Sequence, residues 1–358
     1  MQGAPDKPGV PAEEEHSASF VEILENLNGS VLISTYQAGQ VISIGHYQGQ
    51  LQFCFCRFPQ AMGMTRTSDG IALATKHEIW NLPAQREIAP LIKPVGLYDV
   101  TFAARTCHIT GPILPHELSW CGGKLLVVNT LCNCLAKIDS PWSFIPIWKP
   151  PFLDNTMPGD RCHLNGVAVD SNSHEAAYAS MHSISQELDG WRRNKESGGV
   201  VMDVRNGDVI CDNLSMPHSP RLHNGDLYVL NSGAGELLKI NPINRTREVI
   251  ATVPGFARGL DLVGDIAIVG LSRIRESAVF GGLPIQEKYD ELRCGVALIN
   301  IKSGNTEGYC WFKSGIEELF SILFLPGFRN SIVIGANAKV DELDEGSQSI
   351  WIVPPTPS

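Results

Sequence analysis

Three histidines occupy one position in three successive sequence repeats. His116 lies seven residues before Gly123 in "HELSWCGGKLLVVNT" (116–130). His163 lies seven before Asp170 in "HLNGVAVDSNSHEAAYASM" (163–181), and His218 seven before Gly225 in "HSPRLHNGDLYVLNS" (218–232). Read alone, each is a ring packed on its own strand with one bond to a carbonyl. Read together, they are equivalent side chains, and repeats arranged around an axis bring equivalent side chains to one point. Three neutral imidazoles with an open coordination position make a catalytic metal site, with water or substrate as the remaining ligand. The expected cofactor is one divalent transition metal, Zn, Fe or Cu, held by His116, His163 and His218. A histidine-lined anion or substrate pocket without metal is the alternative at the same residues.

Arginines crowd the same register. Arg161 stands two before His163, Arg221 three after His218, and Arg258 one past the equivalent position of the next repeat. A guanidinium beside a metal clamps a carboxylate, sulfate or phosphate with two hydrogen bonds. The plainer reading is an ion pair between repeats. Arg258, inside "PGFARGLDLVG", is the preferred anion holder, with Arg161 and Arg221 as further substrate contacts. Asn129, Asn165 and Asn231, with Thr130, Ser232, Gln37, Ser272, Arg273 and Asn337, suggest a polar rim over the metal, although asparagine and serine also serve turns. Tyr36 and His108 are the candidate acid/base groups. Glu117 points away from His116 if the strand alternates, and His182 and His223 read as surface residues.

The elements that must position these residues are strands. With 34 Gly and 23 Pro in 358 residues, turn signals recur too often for long helices. Units of strand, tight turn and strand appear at 63–75, 116–130, 163–181, 218–232, 257–272 and 320–337, with an opening unit at 28–58. Their irregular spacing suits the blades of an all-β propeller, in which each four-stranded sheet buries its faces only against neighbours. Seven blades are expected, six being the alternative because the first and last units each look incomplete. "QSIWIVP" is expected to close the ring on the N-terminal strands. "SFVEILENLN" (19–28) has helical apolar spacing, so a short N-terminal helix is expected. Residues 1–19 read as a disordered leader and 20–358 as the propeller domain.

Composition excludes several classes. The net charge is −10, without a Lys/Arg run, so nucleic acid is not the expected partner. No stretch of eighteen apolar residues calls for a membrane span, and the N-terminus lacks the order of a signal peptide; a cytoplasmic location is expected. The C-x-C pairs Cys54/Cys56 and Cys132/Cys134 read as small core side chains, with a shared four-thiolate site as the lesser alternative. Two polar insertions, 186–199 and 272–295, exceed what hairpins need and are placed as lids or specificity loops.

The strings "STYQAGQ", "RCHLNGVAV", "MPHSPRLHNGDLYVLNSGAGEL", "PGFARGLDLVG" and "VGLSRIRES" resemble an uncharacterised bacterial family of conserved hypothetical proteins of about this length. The resemblance spans residues 20–354 and implies a propeller, with no activity to carry over. The family's H-x-T-G and H-[DE]-L-x-W patterns fall on His108, Thr110 and Gly111, then on His116, Glu117, Leu118 and Trp120. This chain has "GPILPHE" where the family often has an acidic, proline-free spacer, so a role for an acidic residue there does not carry over.

The expected function is therefore that of a metal-dependent enzyme acting on a small polar or anionic metabolite or a modified peptide. Lyase or hydrolase chemistry comes first, and iron- or copper-dependent oxidation at the same site second. A non-catalytic propeller that binds a protein or peptide is the reading from a different class. The sequence leaves the oligomeric state open.

Overall fold

The computed structural model describes residues 12–274, 281–336 and 350–351. Alternation dictates its plan. In Gly29–Thr35, Leu32 faces one neighbouring blade while Val31 and Ile33 face the other, because successive side chains leave a strand on opposite faces. Every sheet is apolar on both sides, so none can stand alone.

Six sheets result, and they form a six-bladed propeller. Blades III, IV and V are simple four-stranded meanders beginning at Pro115–Cys121, Leu164–Asp170 and Pro217–His223. Blade VI runs from Phe256–Val263 to Thr306–Phe312 and gains Glu14–His16 as an outer fifth strand. Blade II is built on Met64–Arg66, Gly70–Ala74 and Glu78–Gln85. Six apolar clusters fill the six junctions between blades, the one between VI and I also receiving Phe20 and Leu24 of the helix Ala18–Leu27. Ser17 caps that helix by accepting from the Phe20 amide, and Asn28 ends it in the left-handed region.

Six blades, rather than seven, follow from ring closure. The unit at 320–337 is not a blade. Its first strand, Ser321–Pro326, pairs antiparallel with Gly29–Thr35 and becomes the innermost strand of blade I. Its second strand, Ser331–Ile334, joins blade II in parallel with Val100–Ala103. The first strand of the last unit thus completes the blade that the opening unit begins. Among the described residues the ring closes through this pairing; of "QSIWIVP" only Ile350 and Trp351 belong to them, and Ile350 packs on blade II. Residues 14–19, expected within the leader, form the outer strand of blade VI and the start of the helix.

The inner strands carry the feature that shapes the site. Four consecutive blades break register at equivalent places: between Pro115 and Leu118, Leu164 and Gly166, His218 and Arg221, and Ala257 and Leu260. A bulge bends a strand and re-aims its side chains. Here the bulges stand beside His116, His163, His218 and Arg258. Tight turns lock the register behind them, as at Asn224–Gly225, where both residues have positive φ.

Candidate functional site

His116, His163 and His218 meet at one mouth of the channel, and a fourth ring stands with them. His116 and His163 have ring centroids 4.7 Å apart, and His163 stacks on His182 at 4.4 Å. His182 meets His218 edge-on at 5.0 Å. The four rings line a cavity of about 270 Å3, walled by Trp191, Phe256 and Phe320 and bordered by Tyr36 and Arg258. No three His, Cys, Asp or Glu side chains among the described residues stand in a ready-made ion-binding arrangement.

The hydrogen bonds fix the tautomers. His116 Nδ1 lies 3.2 Å from the Leu114 carbonyl and 2.8 Å from Thr130 Oγ1. The Thr130 hydroxyl spends its own proton on the Leu164 carbonyl at 2.5 Å, so both neighbours of Nδ1 are acceptors. His218 Nδ1 lies 2.9 Å from both the Met216 carbonyl and Ser232 Oγ, and the carbonyl can only accept. His163 Nδ1 lies 2.6 Å from Asp160 Oδ2, which also accepts from Trp191 Nε1 at 3.0 Å. A nitrogen facing acceptors carries the proton. In each neutral ring the proton is therefore on Nδ1 and the lone pair on Nε2. The three Nε2 atoms take no hydrogen-bond partner among the described residues.

Backbone strain supports the arrangement. Leu114 (φ 52°) and Met216 (φ 48°) both lie in the left-handed region, which turns their carbonyls onto the histidines two residues on. His163 itself has φ 52°, held by its amide donating to Asp160 Oδ1 at 3.0 Å. Non-glycine residues in this region persist where surroundings over-determine them, and such places cluster at functional sites.

The electrostatics disfavour charge on three of the four rings. Burial holds His116, His182 and His218 well below the ordinary histidine range. After burial, His163 is the next cause at His116 and His182, and Arg258 is the next at His218. Arg258 lies over the Phe320 ring, Cζ 3.5 Å from its centroid. Burial pulls it down to about 10, with Glu318 and Glu117 opposing, so it stays charged at neutral pH. Its Nη2 is buried and has no hydrogen-bond partner among the described residues. Arg258, Tyr36, Phe256 and Phe320 also line an adjoining, more apolar cavity of about 320 Å3.

Not every expected residue arrives. Tyr36 does, its hydroxyl accepting from Gln60 Nε2 at 2.9 Å. His108 does not: it sits on Thr106–Ile109 of blade II with Nε2 2.8 Å from the Ser143 carbonyl. Arg161 turns back onto the Met157 and Gly159 carbonyls. Arg221 pairs with Glu117, which also accepts from the Val167 amide, and together they tie blades III, IV and V deeper in the channel. The asparagines serve the blades themselves, Asn129 in a turn and Asn165 and Asn231 between segments. Asn129 Oδ1 accepts from the Cys132 amide, Asn231 Oδ1 from the Ser215 amide, and Asn165 Oδ1 from Ser180 Oγ. Asn337 lies outside the described residues. The cysteine pairs belong to separate blades, I and III, and burial pushes both Cys56 and Cys134 up to about 12, the behaviour of packing side chains.

Two site residues escaped the sequence reading. His182 is only 1% exposed, not on the surface. Asp160 precedes the repeat that its carboxylate serves. The insertion at 186–199 does reach the site: Trp191 packs on His163 at 4.4 Å between centroids, and Arg192 edges the cavity. Arg193 instead pairs with Glu187 at the surface.

Comparison with known proteins adds the lineage. The family model described as "Domain of unknown function (DUF4915)" matches residues 18–334. The chain belongs to that family. No curated protein matches it. Among solved structures, a protein of unknown function from Bacteroides caccae superposes with TM-score 0.52 at 10% identity, covering 83% of this chain and 99% of that one. A nidogen/laminin complex is also similar, with TM-score 0.47 and 8% identity over 84% of this chain and 99% of that chain. At such identities the likeness to the Bacteroides protein concerns the fold alone.

Proposed function

We propose that this DUF4915 protein is a metal-dependent enzyme whose centre is built on His116, His163 and His218, and that it acts on a small anionic substrate. The observation that supports this reading is that His116, His163 and His218 line one cavity while every Nδ1 is engaged by an acceptor, which leaves each Nε2 available as a ligand in the neutral ring. Lone pairs repel a bare anion and attract a Lewis acid, which argues against the metal-free anion pocket. Orienting acceptors behind each imidazole are also the usual outer shell of a metal site. The reading requires the rings to rotate onto a common ion, since no three are pre-set.

Imidazole suits Zn, Fe and Cu alike, and neutral ligands leave the charge of the ion uncompensated. Such an ion would polarise a substrate oxygen or acidify bound water. Arg258 adds a second positive charge, its buried Nη2 without a hydrogen-bond partner among the described residues, fit for a substrate carboxylate or phosphate. The Tyr36 hydroxyl, already an acceptor for Gln60, keeps its own proton to give. The adjoining apolar cavity offers room for the remainder of a metabolite or a modified peptide. Lyase or hydrolase chemistry is the class this arrangement serves best.

The test is a competition titration of zinc against a chromogenic chelator, using chain stripped of metal and carrying no affinity tag. One site per chain that outcompetes the chelator, and that then binds a simple carboxylate in the native chain but not in Arg258→Met, supports the reading. Failure of zinc, iron(II) and copper(II) alike to bind overturns it.

A further inference from the structure

Blade IV departs from its neighbours at the end of its second strand. In blades III and V a hydroxyl follows that strand: Thr130 after Lys124–Asn129, and Ser232 after Asp226–Asn231. Each hydroxyl meets Nδ1 of its own blade's histidine, at 2.8 and 2.9 Å. Each also lies six residues beyond the start of its strand. In blade IV the second strand, Glu175–Met181, carries one extra residue at a bulge, where Ala176 pairs with Val169 and Tyr178 with Ala168. Counted across that bulge, the residue equivalent to Thr130 and Ser232 is His182.

The exchange is compensated. With no hydroxyl to hold it, His163 is oriented by Asp160 at 2.6 Å, and Trp191 holds the carboxylate in turn. His182 is thereby released from an orienting task. It stacks on His163 and meets His218, inside the wall of the same cavity. It is 1% exposed, and neither ring nitrogen has a hydrogen-bond partner among the described residues. An imidazole with both nitrogens buried and unmatched is costly, and an apolar ring would fill the space without that cost. Such a group calls for a partner that the protein itself does not supply.

We infer that His182 is a fourth imidazole ligand of the metal centre, so that the site takes a divalent first-row transition ion through four neutral nitrogens. This rests on the three-histidine reading above. Four imidazoles would leave the full charge of the ion facing Arg258 and the substrate. In a six-coordinate ion they would also leave two positions open, enough for both oxygens of a carboxylate.

The experiment loads the metal-free, untagged full chain with copper(II) alone and counts coordinated imidazoles by electron spin echo envelope modulation. It is run on the native chain and on His182→Phe, which keeps a buried ring. Zinc affinity is measured on both in parallel. Four imidazoles in the native chain, three in the variant and at least a tenfold loss of zinc affinity are expected. Three imidazoles in the native chain, or an unchanged count and affinity in the variant, would overturn the fourth ligand and leave the three-histidine centre standing. No copper or zinc binding in the native chain would overturn both. The native count needs no variant, so a His182→Phe chain that fails to fold does not shelter the inference.

Discussion

Asp160→Asn separates an architectural carboxylate from one that serves a metal. Asp160 accepts three hydrogen bonds: the His163 amide on Oδ1 at 3.0 Å, and His163 Nδ1 and Trp191 Nε1 on Oδ2 at 2.6 and 3.0 Å. Asparagine has one oxygen and cannot serve both sides. Its cheaper orientation keeps the oxygen on Nδ1 and Nε1 and turns the amide nitrogen toward the His163 N–H. One buried donor is then unmatched, at about 1–3 kcal/mol. The larger effect falls on the metal. Losing the negative charge behind His163 makes Nε2 a poorer donor, and outer-shell changes of this kind cost about 10–100-fold in metal affinity. Urea unfolding of the metal-free chain reads the first quantity and zinc competition the second. Both are expected to fall, the zinc affinity by at least about tenfold. A variant that loses stability but binds zinc as tightly as the native chain would refute the reasoning, because Asp160 would then only hold the loop and His163 in place.

Three further outcomes follow from the same geometry. In the metal-free chain, His182 and His218 stay neutral when folded but take up protons near pH 6.5 when unfolded. Above that pH they contribute nothing to pH dependence. As pH falls below it the unfolded chain binds more protons, and stability drops by roughly 1.4 kcal/mol per pH unit for each ring; chemical denaturation between pH 5 and 7 should show the slope reduced in His182→Phe. Arg221→Met strands the buried Glu117 carboxylate and should cost about 3–5 kcal/mol, with most of the loss recovered in the Arg221→Met, Glu117→Gln double variant; urea midpoints of the three chains decide it. Arg258→Met should abolish binding of a simple carboxylate to the zinc-loaded protein while leaving zinc affinity within about twofold, since anion holding and metal holding belong to different side chains; calorimetry on the loaded protein measures both.

Much of the architecture was legible because it is written in repeats. The spacing of His116, His163 and His218 from their turns survives folding, since a tight turn fixes hairpin register and register fixes which face a side chain takes. Arg258 was legible for the same reason. The blade count was not, because closure splits one blade between the two ends of the chain, and either half alone reads as a weak repeat. His108 and Arg161 lie near the histidines in sequence, but their strand and loop turn them onto other carbonyls, of Ser143 on the next blade for His108 and of Met157 and Gly159 for Arg161. The asparagines were ambiguous by nature: a turn claimed Asn129, and bonds within blades claimed Asn165 and Asn231. His182 was hidden by one extra residue. Without the bulge in Glu175–Met181 its position would have matched Thr130 and Ser232, and the polar rim would have included it.

The central claim is that the cluster at the channel mouth holds a metal. Elemental mass spectrometry of the untagged native chain, beside His116→Ala, His163→Ala and His218→Ala, tests it most directly. About one zinc, iron or copper per native chain is expected, lost in each variant while circular dichroism shows the propeller intact. A native chain that carries none of these metals, even after anaerobic reconstitution, would contradict it.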